Sequence, residues 1–150
     1  MIKMNKETLN QIYRHAIAEY PDECCGIVTG IKNIQRVHLC KNIQNILHSE
    51  NPERYPRNAR TAYYIDRKEA EKIFSDAKNN KEEVIAFYHS HTNNPAFFSD
   101  TDKEVQTVFG EPEFPDAIHI VVSVINREIN DIKYFVWDRV KGDFISIGEN

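Results

Sequence analysis

Cysteine, glycine and long apolar runs are scarce in this chain, and each scarcity excludes a class of protein. The three cysteines, Cys24, Cys25 and Cys40, are odd in number and two are adjacent, so they cannot form a disulfide framework. No C-x-x-C pair occurs, which leaves a structural thiolate zinc site without support; any metal must be held by His and carboxylate. Five Gly and six Pro exclude collagen-like and low-complexity chains. No apolar stretch approaches the roughly 20 residues that cross a bilayer, and residues 1–10 lack the apolar core of a secretory signal. A soluble, cytoplasmic protein with no membrane partner is expected. A dominant charge sign is missing too. The 19 Lys and Arg against 23 Asp and Glu give a net charge of -4, too little positive field to expect a nucleic-acid partner.

What remains is an ordinary globular composition, 41% apolar and 28% charged over 150 residues, which fits one domain spanning 1–150. Leu9, Ile12, Tyr13, Ala16, Ile17 and Tyr20 recur at helical spacing behind Asn5, a favourable N-cap, and predict a helix over 6–19 ending before Pro21. Residues 25–30 and 34–40 read as an antiparallel hairpin. Periodicity then fails over 41–60, which predicts an irregular surface insertion carrying His48, Arg54, Arg57 and Arg60. Residues 61–65 read as a strand, and Asp66 with Glu69 opens a helix bearing Ala70, Ile73, Phe74 and Ala77. The apolar run 84–88 reads as a central strand leading into His89-Ser90-His91. Ser99 caps a short helix to about Phe109, and residues 118–124, 129–137 and 144–147 are three further strands. The sum is an α/β fold, a mixed, curved sheet of about six to seven strands flanked by about three helices.

Strand alternation sends His89 and His91 to the same side, where two imidazoles can converge on one ion. Asp102, in the first turn of the helix capped by Ser99, can fold back as a third ligand. Two His and one carboxylate with an open fourth position is a catalytic zinc arrangement, so one Zn2+ per chain is expected at His89, His91 and Asp102. Such a site needs a carboxylate that binds no metal to move the proton of the attacking water. Glu23, at the mouth of the first strand, is the candidate. Ser99 can donate to the oxyanion of the tetrahedral intermediate. The spacing H-x-H-x7-S-x2-D arises by chance in about one in 2,000 sequences of this composition.

His89-Ser90-His91, seven residues, Ser99, two residues and Asp102 together resemble the H-S-H-x7-S-x2-D signature of the JAMM (JAB/MPN) metallopeptidases. Pro21-Asp22-Glu23-Cys24-Cys25-Gly26-Ile27-Val28-Thr29-Gly30 resembles the P-x-E-x-x-G-x-x-x-G segment that carries the family's catalytic glutamate. The resemblance covers nearly the whole chain and is greatest to the stand-alone prokaryotic type. It implies a JAMM/MPN-like sandwich comparable to that of cytidine deaminases, a catalytic zinc, and hydrolysis of the peptide or isopeptide bond after the C-terminal glycine of a ubiquitin-like or sulfur-carrier β-grasp protein. Thr92 and Phe98 stand where prolines are common in the family, which bears on the shape of the 92–98 loop.

Each feature also has a structural reading. Ser99 and Asp102 alone describe any helix start, and Glu23 alone merely opens a strand. His15, His38 and His48 read as packing or surface residues, and His119, inside an apolar run, reads as a hydrogen-bonded buried histidine. Cys24 and Cys25 read as small buried residues rather than nucleophiles. Arg54, Arg57 and Arg60 form either a solvated loop face or a substrate-binding clamp for an extended tail. The competing functional class is a non-catalytic MPN-type scaffold module. A zinc deaminase would need H-x-E with P-C-x-x-C, and neither is present.

Overall fold

The computed structural model describes residues 3–148. Helix α1 (Lys6–Glu19) begins as expected, with the Asn5 side chain accepting from the Thr8 N–H at 2.8 Å, and buries Ile12 and Ala16 completely against the sheet. Full burial of one Ile side chain contributes about 1.5–3 kcal/mol, so this stripe, not helix propensity, fixes α1. Strands β1 (Cys25–Ile31) and β2 (Ile34–Cys40) form the hairpin, with Ile31 opposite Ile34 and Cys25 opposite Cys40.

The remaining elements are α2 (Gln44–Glu50), α3 (Arg67–Asn79), β3 (Glu83–Thr92), α4 (Asp100–Gln106), β4 (Thr107–Val108), β5 (Glu111–Pro112), β6 (Ile118–Ile125), β7 (Glu128–Asp138) and β8 (Asp143–Ile147). The main sheet has six strands in the order β2-β1-β3-β6-β7-β8, antiparallel except for β3 beside β6. Strand alternation divides its residues between two layers. Val28, Ala86, Tyr88, Ile118, Ile120, Val122 and Val124 pack toward α1. Cys25, Ile27 and Phe87 pack with Tyr63, Ala70 and Phe74, and Val121 packs with Phe98, Phe135 and Phe144. Residues 87, 89 and 91 therefore share the face opposite α1.

Three expectations need correction. Residues 41–60 are not wholly irregular, since α2 forms there. Side-chain bonds pin the segment: Gln44 Nε2 donates to the Arg57 carbonyl at 2.9 Å and Asn45 Oδ1 accepts from Ala59 N at 2.8 Å. Residues 61–65 do not make a strand; Ile65 forms a single bridge to Asn42, because Asn42 uses its side chain as a backbone surrogate, donating to the Glu23 and Ala62 carbonyls. Helix α4 stops at Gln106, after which β4 and β5 turn through Phe109 and Gly110, both at positive φ. The described residues thus hold four helices and, beyond the main sheet, a two-stranded ribbon.

Gly26 faces Tyr88 across β1 and β3, and a Cβ there would collide with the tyrosine ring. The ring is held in place by a 2.7 Å hydrogen bond between its hydroxyl and His15 Nδ1. The glycine five residues after Pro21 is thus a packing requirement of the strand that follows Glu23.

Candidate metal centre

The end of β3 uses its alternation in both directions. Ser90 points away from the two histidines, and its Oγ accepts from Cys24 N at 2.7 Å, while Ser90 N donates to the Cys24 carbonyl at 3.1 Å. Ser90 thereby ties the residue after Glu23 to the strand that carries His89 and His91. Glu23 is held on its other side by its N–H, which donates to the Ala59 carbonyl at 2.7 Å.

Asp102 is the third residue of α4. Its Oδ2 accepts from Ser99 N at 2.9 Å while its own N–H donates to Ser99 Oγ at 3.0 Å, a complete capping box. The same Oδ2 lies 3.1 Å from His89 Nε2 and 3.2 Å from His91 Nε2, and the two Nε2 atoms are 3.2 Å apart. Tetrahedral zinc with bonds of about 2.0–2.1 Å separates its ligands by about 3.3 Å, so this near-equilateral triangle fits such an ion. The chemistry of the donors agrees. His91 Nδ1–H donates to the Pro95 carbonyl at 2.8 Å, which places the proton on Nδ1 and turns the Nε2 lone pair inward. That lone pair and the Asp102 Oδ2 face the same space, an arrangement that suits a cation.

Glu23 completes a buried group of four whose ligand atoms lie within 4.8 Å of one another and which could hold a metal ion. Its residue is 4% exposed and its Oε1 has no protein partner. Burial pushes its carboxyl well above the usual range; the Asp102 charge adds to the rise and Arg57 opposes it. For Asp102 burial also favours the neutral form, but His89 and His91 overcome it and hold the carboxyl well below the usual range. Burial lowers His89, against the pull of Asp102. One carboxylate is kept anionic among imidazoles and the other is kept proton-seeking.

The sequence-predicted residues Glu23, His89, His91 and Asp102 are thus brought together, with Ser99 half-buried beside them. Arg54 and Arg57 line a groove of about 440 Å³ with Tyr55, Tyr64, Thr101 and Glu104; its lining does not include Arg60, whose backbone carbonyl instead accepts from Thr92 Oγ1 at 2.8 Å. His15, His38 and His48 are engaged with Tyr88, Thr29 and the Tyr55 carbonyl, away from the cluster. Cys24, Cys25 and Cys40 are buried free thiols, and burial pushes Cys24 and Cys40 up to about 12.

His119 is a correction. It is buried, but neither ring nitrogen finds a protein partner. Its ring lies among aromatics, stacked on Phe87 and edge-on to Phe98 and Phe144, none of which carries a polar atom. Burial, with His89 nearby, pushes it down to about 3.

Sequence reasoning missed Tyr63, whose ring stacks on His89 at 4.4 Å and whose hydroxyl accepts from Gln106 Nε2 at 2.7 Å. It also missed Phe97, 50% exposed and edge-on to His91 at 4.8 Å. Tyr63 lies in the 61–65 run that reads as a strand, where nothing in the sequence marks it as a neighbour of His89. Phe97 could have been found from its place between Pro95 and the capping serine.

Fold and cluster together define a class: an α/β domain whose sheet end carries a His-His-carboxylate cradle with a second carboxylate alongside. The chain belongs to the family described as prokaryotic homologs of the JAB domain, whose model matches residues 5–135. It is 26% identical over 135 residues to a CysO-cysteine peptidase of Mycobacterium tuberculosis, covering 90% of this chain and 82% of that protein. It is also 26% identical over 112 residues to a desampylase of Haloferax volcanii, covering 75% and 70%. A JAB1/MPN domain protein from Archaeoglobus fulgidus shares the fold, with a TM-score of 0.53, 17% identity and coverage of 96% of this chain and 94% of that one. Among the described residues no helix is long and apolar enough to cross a membrane.

Proposed function

We propose that this chain is a zinc-dependent hydrolase cleaving the peptide or isopeptide bond after the C-terminal glycine of a ubiquitin-like or sulfur-carrier protein. The observation that carries the reading is the 3.1–3.2 Å triangle of His89 Nε2, His91 Nε2 and Asp102 Oδ2, with the unpartnered Glu23 carboxylate beside it. The family and the peptidase and desampylase relatives support hydrolysis and this substrate class.

His89, His91 and Asp102 would hold the ion. When bound, zinc supplies Lewis acidity, polarising the scissile carbonyl and bringing the pKa of water to about 7. Glu23 accepts the proton of the attacking water; its raised pKa makes it a stronger base than an exposed glutamate, and it returns the proton to the leaving nitrogen. Ser99 Oγ accepts from Asp102 N, so its own hydrogen is the one it offers to the developing oxyanion. Arg54 and Arg57 contact the extended tail where it lies in the groove beside α4.

Glu23→Gln tests the assignment. Zinc content by elemental analysis should stay at one per chain, while cleavage of a carrier–peptide fusion, followed by product mass, should fall by a factor of at least about 10². A zinc-loaded, fully active variant would remove Glu23 from the reaction.

A further inference from the structure

Strand β6 is an apolar run interrupted by two polar residues, His119 and Ser123. Ser123 is fully buried, and a hydroxyl in such a place is kept where it has partners. It stands opposite His91 in the parallel register of β3 and β6, so both side chains project from the same face of the sheet. Its single hydrogen is donated to the Asn94 carbonyl at 2.6 Å, while its oxygen accepts from Asn130 Nδ2 at 3.4 Å.

The carbonyl it holds belongs to the segment that folds back over His91. The chain leaves β3 and turns at Asn93, whose φ of 56° lies in the left-handed region that asparagine tolerates. Asn93 N–H donates to the Val124 carbonyl at 2.7 Å, and its Oδ1 accepts from Tyr20 Oη at 3.0 Å and from Asn126 N at 3.1 Å. Beyond that turn little is free to rotate. The Asn94–Pro95 peptide is planar, and the proline ring locks its own φ at about -65°. Holding the Asn94 oxygen therefore sets the direction of the Pro95 carbonyl to within one backbone rotation, and that carbonyl accepts from His91 Nδ1–H at 2.8 Å.

We propose that Ser123 is a positioning residue of the metal centre. Through the Asn94 and Pro95 carbonyls it fixes the ring orientation of His91, and with it the direction of the Nε2 lone pair toward the space shared with His89 and Asp102. The inference rests on the proposed zinc centre and adds to it a residue whose hydroxyl bonds to none of the ligand side chains. Removing that hydroxyl leaves the capping box of Asp102 intact, so the effect falls on one ligand of three and is partial.

The test compares Ser123→Ala with Thr29→Val in the full chain. Thr29 is also buried, and its hydroxyl joins His38 to Glu82 toward the end of β1 remote from Glu23, so the second variant removes a buried hydroxyl away from the metal centre. Zinc affinity is read by chelator competition and apo stability by melting. The hydrogen bond itself is read from solvent exchange of the His91 Nδ1–H proton in the NMR spectrum of the zinc-loaded protein. Ser123→Ala should weaken zinc about tenfold, the lower end for outer partners of a metal ligand, and should speed exchange of that proton by about as much. Thr29→Val should lower the melting midpoint and leave both unchanged. Unaltered zinc affinity or unaltered proton exchange in Ser123→Ala overturns the proposal. So does an equal loss of zinc in Thr29→Val, which would make the hydroxyl a matter of stability alone. Should Ser123→Ala fail to melt cooperatively, the wild type decides: a protected Nδ1–H supports the proposal, and one that exchanges as fast as an exposed imidazole proton overturns it. Wild-type protein that takes up no zinc removes the metal centre and this inference with it, whereas the other outcomes leave the centre standing.

Discussion

Replacing His119 by phenylalanine should make the protein more stable and flatten its response to acid. The ring is 2% exposed, lies among Phe87, Phe98 and Phe144, and holds two unpartnered nitrogens. At neutral pH the substitution removes a desolvation cost of about 1–3 kcal/mol without opening a cavity. The acid response follows from linkage. The folded-state pKa is about 3 against 6.5 for a free histidine, so below pH 6.5 the unfolded chain takes up a proton that the folded chain refuses. Stability from this group is intact above pH 6.5 and is lost as the pH falls toward 3, at about 1.4 kcal/mol per unit. From pH 6.5 to pH 5 the loss is about 2 kcal/mol. Burial also lowers His15, His38 and His89, which adds to the loss in the wild type, whereas the raised Glu23 carboxyl works in the opposite direction, so the diagnostic quantity is the difference between wild type and variant. Urea unfolding at pH 7.5 and pH 5, with zinc removed by chelation, measures it. If His119→Phe loses as much stability between those pH values as the wild type, His119 has a partner or a proton that the structure does not give it, and the reasoning fails.

Asp102 and Ser99 each have two jobs that substitutions can separate. Asp102→Asn retains a carbonyl oxygen for Ser99 N, so the cap should survive, yet zinc affinity, read by chelator competition, should fall by more than about 10²-fold; Asp102→Ala should lose zinc and, relative to the Asn variant, about 1 kcal/mol of cap as well, some 2–4 °C in the apo melting midpoint. Equal zinc retention in the Asn variant would exclude Asp102 as a ligand. Ser99→Ala should raise the cleavage barrier by about 2.7–4 kcal/mol with zinc content unchanged, and Ser99→Thr should restore much of the rate. Unaltered kcat alongside a lower melting midpoint would make Ser99 a cap and nothing more. Gly26→Ala should cost several kcal/mol through the Tyr88 clash, seen as loss of cooperative melting, whereas Gly148→Ala, with nothing within 4 Å, should be silent.

The legible parts of the sequence were those where a short period met a clear punctuator. Asn5 and Asp66 accept from the third residue of their helices as the spacing predicts, and the 34–40 strand has the expected bounds because its turn leaves no freedom of register. The His89, His91 and Asp102 triangle was legible for the same reason: His89 and His91 share a strand and Asp102 shares a turn with its cap, so only one placement between the two elements remained. Residues 41–65 were misread because side chains there replace backbone pairing. Asn42, Gln44 and Asn45 satisfy carbonyls and amides across the segment, and no periodicity reports that. His119 misled for a different reason. Its burial follows from the apolar run around it, but whether a buried nitrogen is paired depends on residues as far away as Phe144.

The order of residues around Ser90 shows how one strand end assembles chemistry from two distant segments. Neighbours on a strand face opposite ways, so the residue between the two histidines is free to bond the other layer, and Ser90 does so at Cys24 N. With β1 and β3 antiparallel and Cys25 opposite His89, that bond holds Glu23 just beyond the last paired residue, where the strand has ended but its direction persists. The glutamate therefore arrives beside the histidines through backbone register rather than through a side-chain partner of its own. A partner would lower its pKa and dull it as a base. The unpaired Oε1 of Glu23 and the buried hydroxyl of Ser90 are, in this sense, one feature: the serine supplies by position what a hydrogen bond to the carboxylate would have taken away in reactivity.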